Sequence, residues 1–277
     1  MYAHLANGKQ RQPFISWTRD VEIAAWWSLY GMMPVVKTDL ATLDPTIRIW
    51  DFSNENLRNE VLPGEGYQHQ RQFAGRSQEV ILDGAVNNYE QVQMQVQSVK
   101  VAEFKRNTAD INFPVSLAPL KVERTLPGST QPLLVYHPTN GKTYKYVMKR
   151  GMGGGDVEVD KQHWQRFSCG HTSNEFFANL CYHLLGVTVP SCALYSCHVR
   201  AEDKVFFTYI LLTEFLNGTQ PVKDDMKIFT SGVFADILLR NYDVCGEKYC
   251  NLLKVGDVGF RIDSGVRKLW TNNMPFA

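Results

Sequence analysis

The sequence predicts an α+β protein of two units, a small α+β module over residues 1–100 and a larger unit over residues 122–277, joined by a linker over residues 101–121. Three observations carry this reading. Short strand-like runs and one helical run rich in Ala and Trp share the first hundred residues. The remainder holds two hairpin signatures and two longer helical runs. Between the two, Phe113-Pro114 and Ala118-Pro119 interrupt any regular element. With 277 residues and 44% apolar content, either unit can bury a core.

Composition excludes several classes of function. Lys and Arg number 29 against 28 Asp and Glu, so no excess of positive charge marks a nucleic-acid binder. The longest apolar run, Val205 to Leu212, is too short to span a bilayer and is broken by Thr208. The N-terminus lacks the charged-then-apolar pattern of a Sec signal, so the expected location is cytosolic, or the cytosol of a target cell reached by another route. All six cysteines fall in the C-terminal half without a Cys-x-x-Cys pair, which predicts reduced, mostly buried thiols and no zinc site.

In the small unit, Pro13-Phe-Ile-Ser-Trp-Thr-Arg-Asp20 reads as a strand and turn, and Val21–Leu29 as a helix capped by Asp20. Further strands are expected at 33–37, 48–52 and 78–82, separated by the polar segment 54–72. Gln91, Gln93, Gln95 and Gln97 alternate with Val92, Met94, Val96 and Ser98, the period of a half-buried strand.

In the larger unit, Leu133–Tyr136 and Tyr144–Lys149 flank Asn140-Gly141, a strong hairpin signal. The tract Gly151–Gly155 lacks the spacing of a phosphate loop and reads as a mobile linker, with phosphate contact as the alternative. A helix starts near His171, capped by Thr172 or Ser173, carries Glu175 in its first turn and stops at Gly186. A second hairpin spans Ser191–Val199 and Lys204–Leu212. An apolar helix then ends at Asn241-Tyr-Asp243, Asn251 opens a short strand pair, and Asp263-Ser-Gly265 closes it. Asn-Tyr-Asp and Asp-Ser-Gly also suit ordinary turns.

The order and spacing of these residues resemble the catalytic core of the actin-fragmin kinase and HipA-like branch of the protein-kinase superfamily, over about residues 122–270. The resemblance implies a compact two-lobe kinase-like domain, with an N-lobe over 122–213, a hinge over 214–218 and a shortened C-lobe over 219–277. It implies ATP and magnesium as cofactors. Gly128, Ser129 and Thr130 would cover the phosphates, and Lys149, paired with Glu175, would contact them, with Lys145 as a rival on the same face. Glu214 and Leu216 would meet the adenine, Asp243 would orient the attacking hydroxyl, and Asn251 with Asp263 would hold the metal.

The first hundred residues resemble part of the ADP-ribosyltransferase fold. Phe14-Ile-Ser16-Trp-Thr18 looks like the serine-motif strand, and Ser77-Gln78-Glu79 like the closing motif whose glutamate holds the NAD ribose. His4 and Arg11 are the candidates for the opening basic strand, and neither lies in a convincing strand, so a degenerate module that binds or scaffolds is expected. The combined reading is a phosphotransferase, a toxin or secreted effector acting on a protein of a host or rival cell. The alternatives are an ADP-ribosyltransferase with Glu79 catalytic and Ser16 and Gln78 in the NAD site, or a catalytically dead scaffold.

Overall fold

The computed structural model describes residues 2–4, 14–30, 32–76, 78–84, 86–127, 131–139, 142–151, 161–241, 243–245 and 249–263. They form a mixed α+β chain with helices and three sheets. Two compact units emerge, one of Met1–Gln97, Gly153–Arg166 and Cys197–Thr208, the other of Ser98–Met152, Phe167–Ser196 and Tyr209–Ala277.

The smaller unit opens with strands β1 (Tyr2–His4) and β2 (Phe14–Thr18) and helix α1 (Val21–Trp27). Asp20 caps α1 by accepting from the Glu22 N–H at 2.9 Å. Strands β3 (Val35–Lys37) and β4 (Arg48–Asp51) follow. The polar stretch 54–72, expected as a spacer, instead holds α2 (Glu55–Val61) and most of α3 (Gln68–Arg76). No residue of α2 is buried, so no apolar stripe signals this helix; the Asn54 side chain starts it by accepting from the Asn56 N–H at 2.9 Å. Strands β5 (Glu79–Asp83) and β6 (Glu90–Val92) complete an antiparallel sheet ordered β4-β5-β2-β1-β3-β6. Trp17, Val36, Val80 and Leu82 cluster at its core.

The expected Gln-rich strand divides at Gln93: β6 belongs to the first sheet, and β7 (Met94–Phe104) to a second. That second sheet runs β7-β11-β12-β10-β9-β8 and includes β8 (Lys121–Thr125), β9 (Leu133–Thr139) and β10 (Lys142–Arg150). Residues 105–120, expected as linker, are packed chain. Ile111, Phe113, Leu117 and Leu120 are buried, the Val115 carbonyl accepts from the Lys100 N–H at 3.3 Å, and the Pro114 carbonyl accepts from Tyr195 Oη at 2.6 Å. Prolines suit this irregular path, which bonds the edge strand β7 at Lys100.

Helix α4 (Lys161–Leu184) begins ten residues before the expected start. Thr172 and Ser173 are therefore interior residues rather than caps, with hydroxyls turned back to the Ser168 and Cys169 carbonyls at 2.9 and 3.0 Å. Glu175 lies in mid-helix. Strands β11 (Cys192–Ala201) and β12 (Lys204–Glu214) form the second hairpin. A 3₁₀ stretch at Lys223–Gly232 leads into α5 (Val233–Leu238), which ends before the expected Asn-Tyr-Asp because Arg240 takes a left-handed φ of 51°. The small hairpin β13 (Leu252–Val255) and β14 (Val258–Arg261) follows, with Asn251 at its entrance as expected.

None of the six cysteines is in a disulfide; Cys192 and Cys197 are buried and Cys250 is exposed. Among the described residues, no helix is long and apolar enough to cross a membrane. A Cβ at Gly151 would lie 1.9 Å from the Ser168 carbonyl oxygen, so only glycine fits where β10 leaves the sheet against α4. Gly170, inside α4, has no atom within 4 Å of such a Cβ. Gly151→Ala is expected to cost about 2 kcal/mol, whereas Gly170→Ala should add roughly 0.5–1 kcal/mol; urea unfolding of the two variants measures both signs.

Candidate active site

The face that α4 turns inward is unusually polar. Ser168, Thr172, Glu175, Asn179 and Tyr182, spaced alternately by four and three residues, are all buried. That spacing is one stripe of a helix, and stripes of this kind normally carry aliphatic side chains. Here Glu175 uses it to reach Lys149 of β10.

Lys149 Nζ lies 2.6 Å from Glu175 Oε1, with the two side chains 14% and 4% exposed. The same ammonium donates to the Ile262 carbonyl at 3.0 Å and sits 3.9 Å from Asp263 Oδ1. One lysine thus joins the sheet, the helix and the chain leaving β14. Burial works against its charge, but the carboxylates of Glu175 and Asp263 outweigh it, and the pKa rises above the ordinary lysine value of 10.5. Lys145, the rival, is more exposed and pairs with Glu123 at 2.7 Å. Glu175 distinguishes the two.

The acidic loops meet through Asn251. Its Nδ2 donates to the Asp243 carbonyl at 2.7 Å, and its own carbonyl accepts from the Ile262 N–H at 3.0 Å. Asp243 and Asp263 are both exposed. With Nδ2 committed, the Asn251 amide oxygen remains the hard donor on that side chain, contacted by the Cys250 thiol at 3.5 Å. Among the described residues, no cluster of three or more His, Cys, Asp or Glu side chains could cage a metal. One amide oxygen and one carboxylate fit magnesium, which keeps water and phosphate oxygens as its other ligands.

At the expected hinge, Glu214 ends β12 and its carboxylate is taken by Arg106, with Nε at 3.0 Å and Nη2 at 2.6 Å. It also accepts from the Ser191 N–H at 3.1 Å. The Glu214 and Phe215 N–H groups donate to the Ser191 and Lys145 carbonyls at 2.8 and 3.1 Å. Glu214 is thereby a strut of the fold; Leu216, the other residue expected at the hinge, is half-buried. Arg106, whose guanidinium lies 5.1 Å from the Phe260 ring centroid, carries no sequence signal of this role. Gly128, Ser129, Thr130, most of the Gly151–Gly155 tract and Gly265 lie outside the described residues.

In the smaller unit, β2 is flanked by β5 and β1. Ser16 pairs with Ile81 and Thr18 with Glu79, and Tyr2 also pairs with Thr18. The absence of an opening strand expected from sequence is corrected: β1 contains His4, in register with Val35 of β3. Gln78 takes a left-handed φ of 49° and its Nε2 donates to the Gly75 carbonyl at 2.8 Å. The side chains of Ser16 and His4, and Ser77 and Arg11 entirely, lie outside the described residues.

Removing one partner of a buried ion pair costs more than removing both. Glu175→Ala strands an ammonium and is expected to destabilise the protein by about 3 kcal/mol, whereas Lys149→Met with Glu175→Leu should be close to neutral; chemical denaturation compares them. Because the lysine pKa is raised on folding, the stabilisation is complete below pH 10.5 and is lost as pH rises through the raised value, so alkaline titration of stability reports the pair. No family model matches the sequence, and no curated protein or solved structure matches the chain.

Proposed function

We propose that the larger unit is a kinase-like, two-lobe phosphotransferase that uses ATP and magnesium to phosphorylate a hydroxyl group, with a protein as the acceptor. The observation that carries the reading is Lys149, held at 2.6 Å by Glu175 and facing Asp263 at 3.9 Å. Phosphoryl transfer needs fixed positive charge on the phosphates and oxygen ligands for a metal, and it needs little covalent chemistry from the protein.

In this reading Lys149 binds phosphate oxygens and Glu175 keeps its side chain from swinging away. Asn251 and Asp263 would hold magnesium, which would supply positive charge to the phosphates. Asp243 accepts the proton of the acceptor hydroxyl as oxygen attacks the γ-phosphorus and the bond to the β-phosphate bridging oxygen breaks. Asn251 fixes the Asp243 loop through its 2.7 Å bond to the Asp243 carbonyl. Leu216 lines the adenine side, and Gly128, Ser129 and Thr130 belong over the phosphates. Pairing this unit with a transferase-like module suits a toxin or secreted effector whose substrate is a protein of another cell.

A second reading has its own support. The strand order β5-β2-β1 brings side by side the strands of Glu79, Ser16 and His4, the three positions that the resemblance to ADP-ribosyltransferases picks out. It would make the smaller unit an enzyme or a NAD-binding regulator.

Transfer of labelled γ-phosphate to the protein itself or to added acceptor proteins tests the first reading. Asp263→Ala should abolish transfer, and Asp243→Ala should slow it about a hundredfold or more. Full transfer by Asp263→Ala, or labelling from NAD that disappears in Glu79→Ala in the absence of any transfer from ATP, would overturn it.

A further inference from the structure

Helix α5 is inverted relative to its composition. Phe234 and Ile237 are 71% and 69% exposed, whereas Asp236 between them is 7% exposed. Its carboxylate is fully engaged: Oδ1 accepts from Arg261 Nε at 2.7 Å and from Tyr182 Oη at 2.8 Å, and Oδ2 accepts from Arg261 Nη2 at 2.6 Å. Arg261 Nη2 also donates to the Phe229 carbonyl at 3.0 Å. Tyr182 Oη accepts from Asn241 Nδ2 at 3.0 Å, and the Asn241 N–H donates to the Asp236 carbonyl at 2.9 Å. Gly232 makes room for the guanidinium, since a Cβ there would lie 2.3 Å from it.

Two members of this network stand at the same offset from the acidic loops. Asn241 precedes Asp243 by two residues, and Arg261 precedes Asp263 by two. A buried ion pair is weak evidence for stability, because well-packed apolar residues of similar volume often serve as well. A bidentate carboxylate–guanidinium pair does fix geometry. We propose that Asp236 is a positioning residue that sets Asp263 through Arg261 and Asp243 through Asn241, so that one buried carboxylate fixes the spacing of the metal-binding and hydroxyl-binding loops. This rests on the phosphotransfer reading.

The path from Asp236 to the metal side is short. The Arg261 N–H is bonded to the Thr188 carbonyl at 3.1 Å, and Ile262 bonds Asn251 through its N–H at 3.0 Å and Lys149 through its carbonyl at 3.0 Å. With the Arg261 side chain fixed at one end and Ile262 bonded on both sides, little backbone freedom remains for Asp263. Releasing Arg261 loosens the carboxylate, while Glu175 still holds Lys149 at 2.6 Å. The signature is a selective one: affinity for metal falls and affinity for free nucleotide does not.

Calorimetric titration of ATP into the whole chain, in chelator and at increasing magnesium, separates the two. Asp236→Asn is expected to bind metal-free ATP like the wild type and to need about tenfold more magnesium for the tighter, metal-dependent binding, the scale on which outer-shell partners act. Arg261→Lys keeps the buried charge but loses the fork, and must shift the magnesium requirement in the same direction if Asp236→Asn fails to fold. An unchanged magnesium requirement in folded variants overturns this proposal alone, as does an equal loss of metal-free and metal-dependent binding, which would make Asp236 only a fold element. A wild-type protein that binds no ATP with or without magnesium overturns the phosphotransfer reading and this proposal together.

Discussion

The charge on Lys149 is the constraint from which the architecture of the larger unit follows. An ammonium this deeply placed is tolerated only if opposite charge and carbonyl oxygens surround it. Glu175 supplies the first from α4, the Ile262 carbonyl supplies the second from the end of β14, and Asp263 adds charge at 3.9 Å. Three elements far apart in sequence therefore converge on one atom. A helix that presents Glu175 to a lysine also turns Thr172 and Asn179 inward, and their hydrogen-bonding groups have to be satisfied there.

The same logic governs the chain after β12. Asp236 and Arg261 are both nearly excluded from water and engage each other through two bonds, while Tyr182 and the Phe229 carbonyl satisfy remaining sites. This arrangement orients α5 against its own composition and leaves Phe234 and Ile237 outside. Arg106 and Glu214 repeat the pattern, where a fork of two bonds ties the packed segment after β7 to the end of β12. Guanidinium–carboxylate pairs, rather than aliphatic packing alone, set the positions of the loops.

Much of this was legible in the sequence where a local pattern carries the information. The alternation around Lys149, the Asp20 cap and the entrance of Asn251 into a small hairpin follow from periodicity and turn chemistry. Thr172 and Ser173 resemble caps and so place Glu175 in a first turn, yet their hydroxyls bond back within a longer helix. The alternating four- and three-residue spacing from Ser168 to Tyr182 was available as a signal of a buried polar face. Asp236 was not: inside an apolar run, composition puts Phe234 inward, and only its partner twenty-five positions later reverses that. The packed path of residues 105–120 escaped for a related reason, since prolines mark the absence of regular structure and say nothing of burial. His4 lacks a flanking sequence pattern, although pairing with strands on both sides makes even three residues a strand.

The account comes down to whether Lys149 sits in a nucleotide site. Calorimetric titration of magnesium and ATP into the wild-type chain and into Lys149→Met measures this directly, with far-ultraviolet circular dichroism confirming that the variant is folded. Saturable binding by the wild type that disappears in the folded variant is the predicted result. Equal binding by both proteins, or binding of NAD with none of ATP, would contradict the account and move the chemistry to the sheet that carries Glu79.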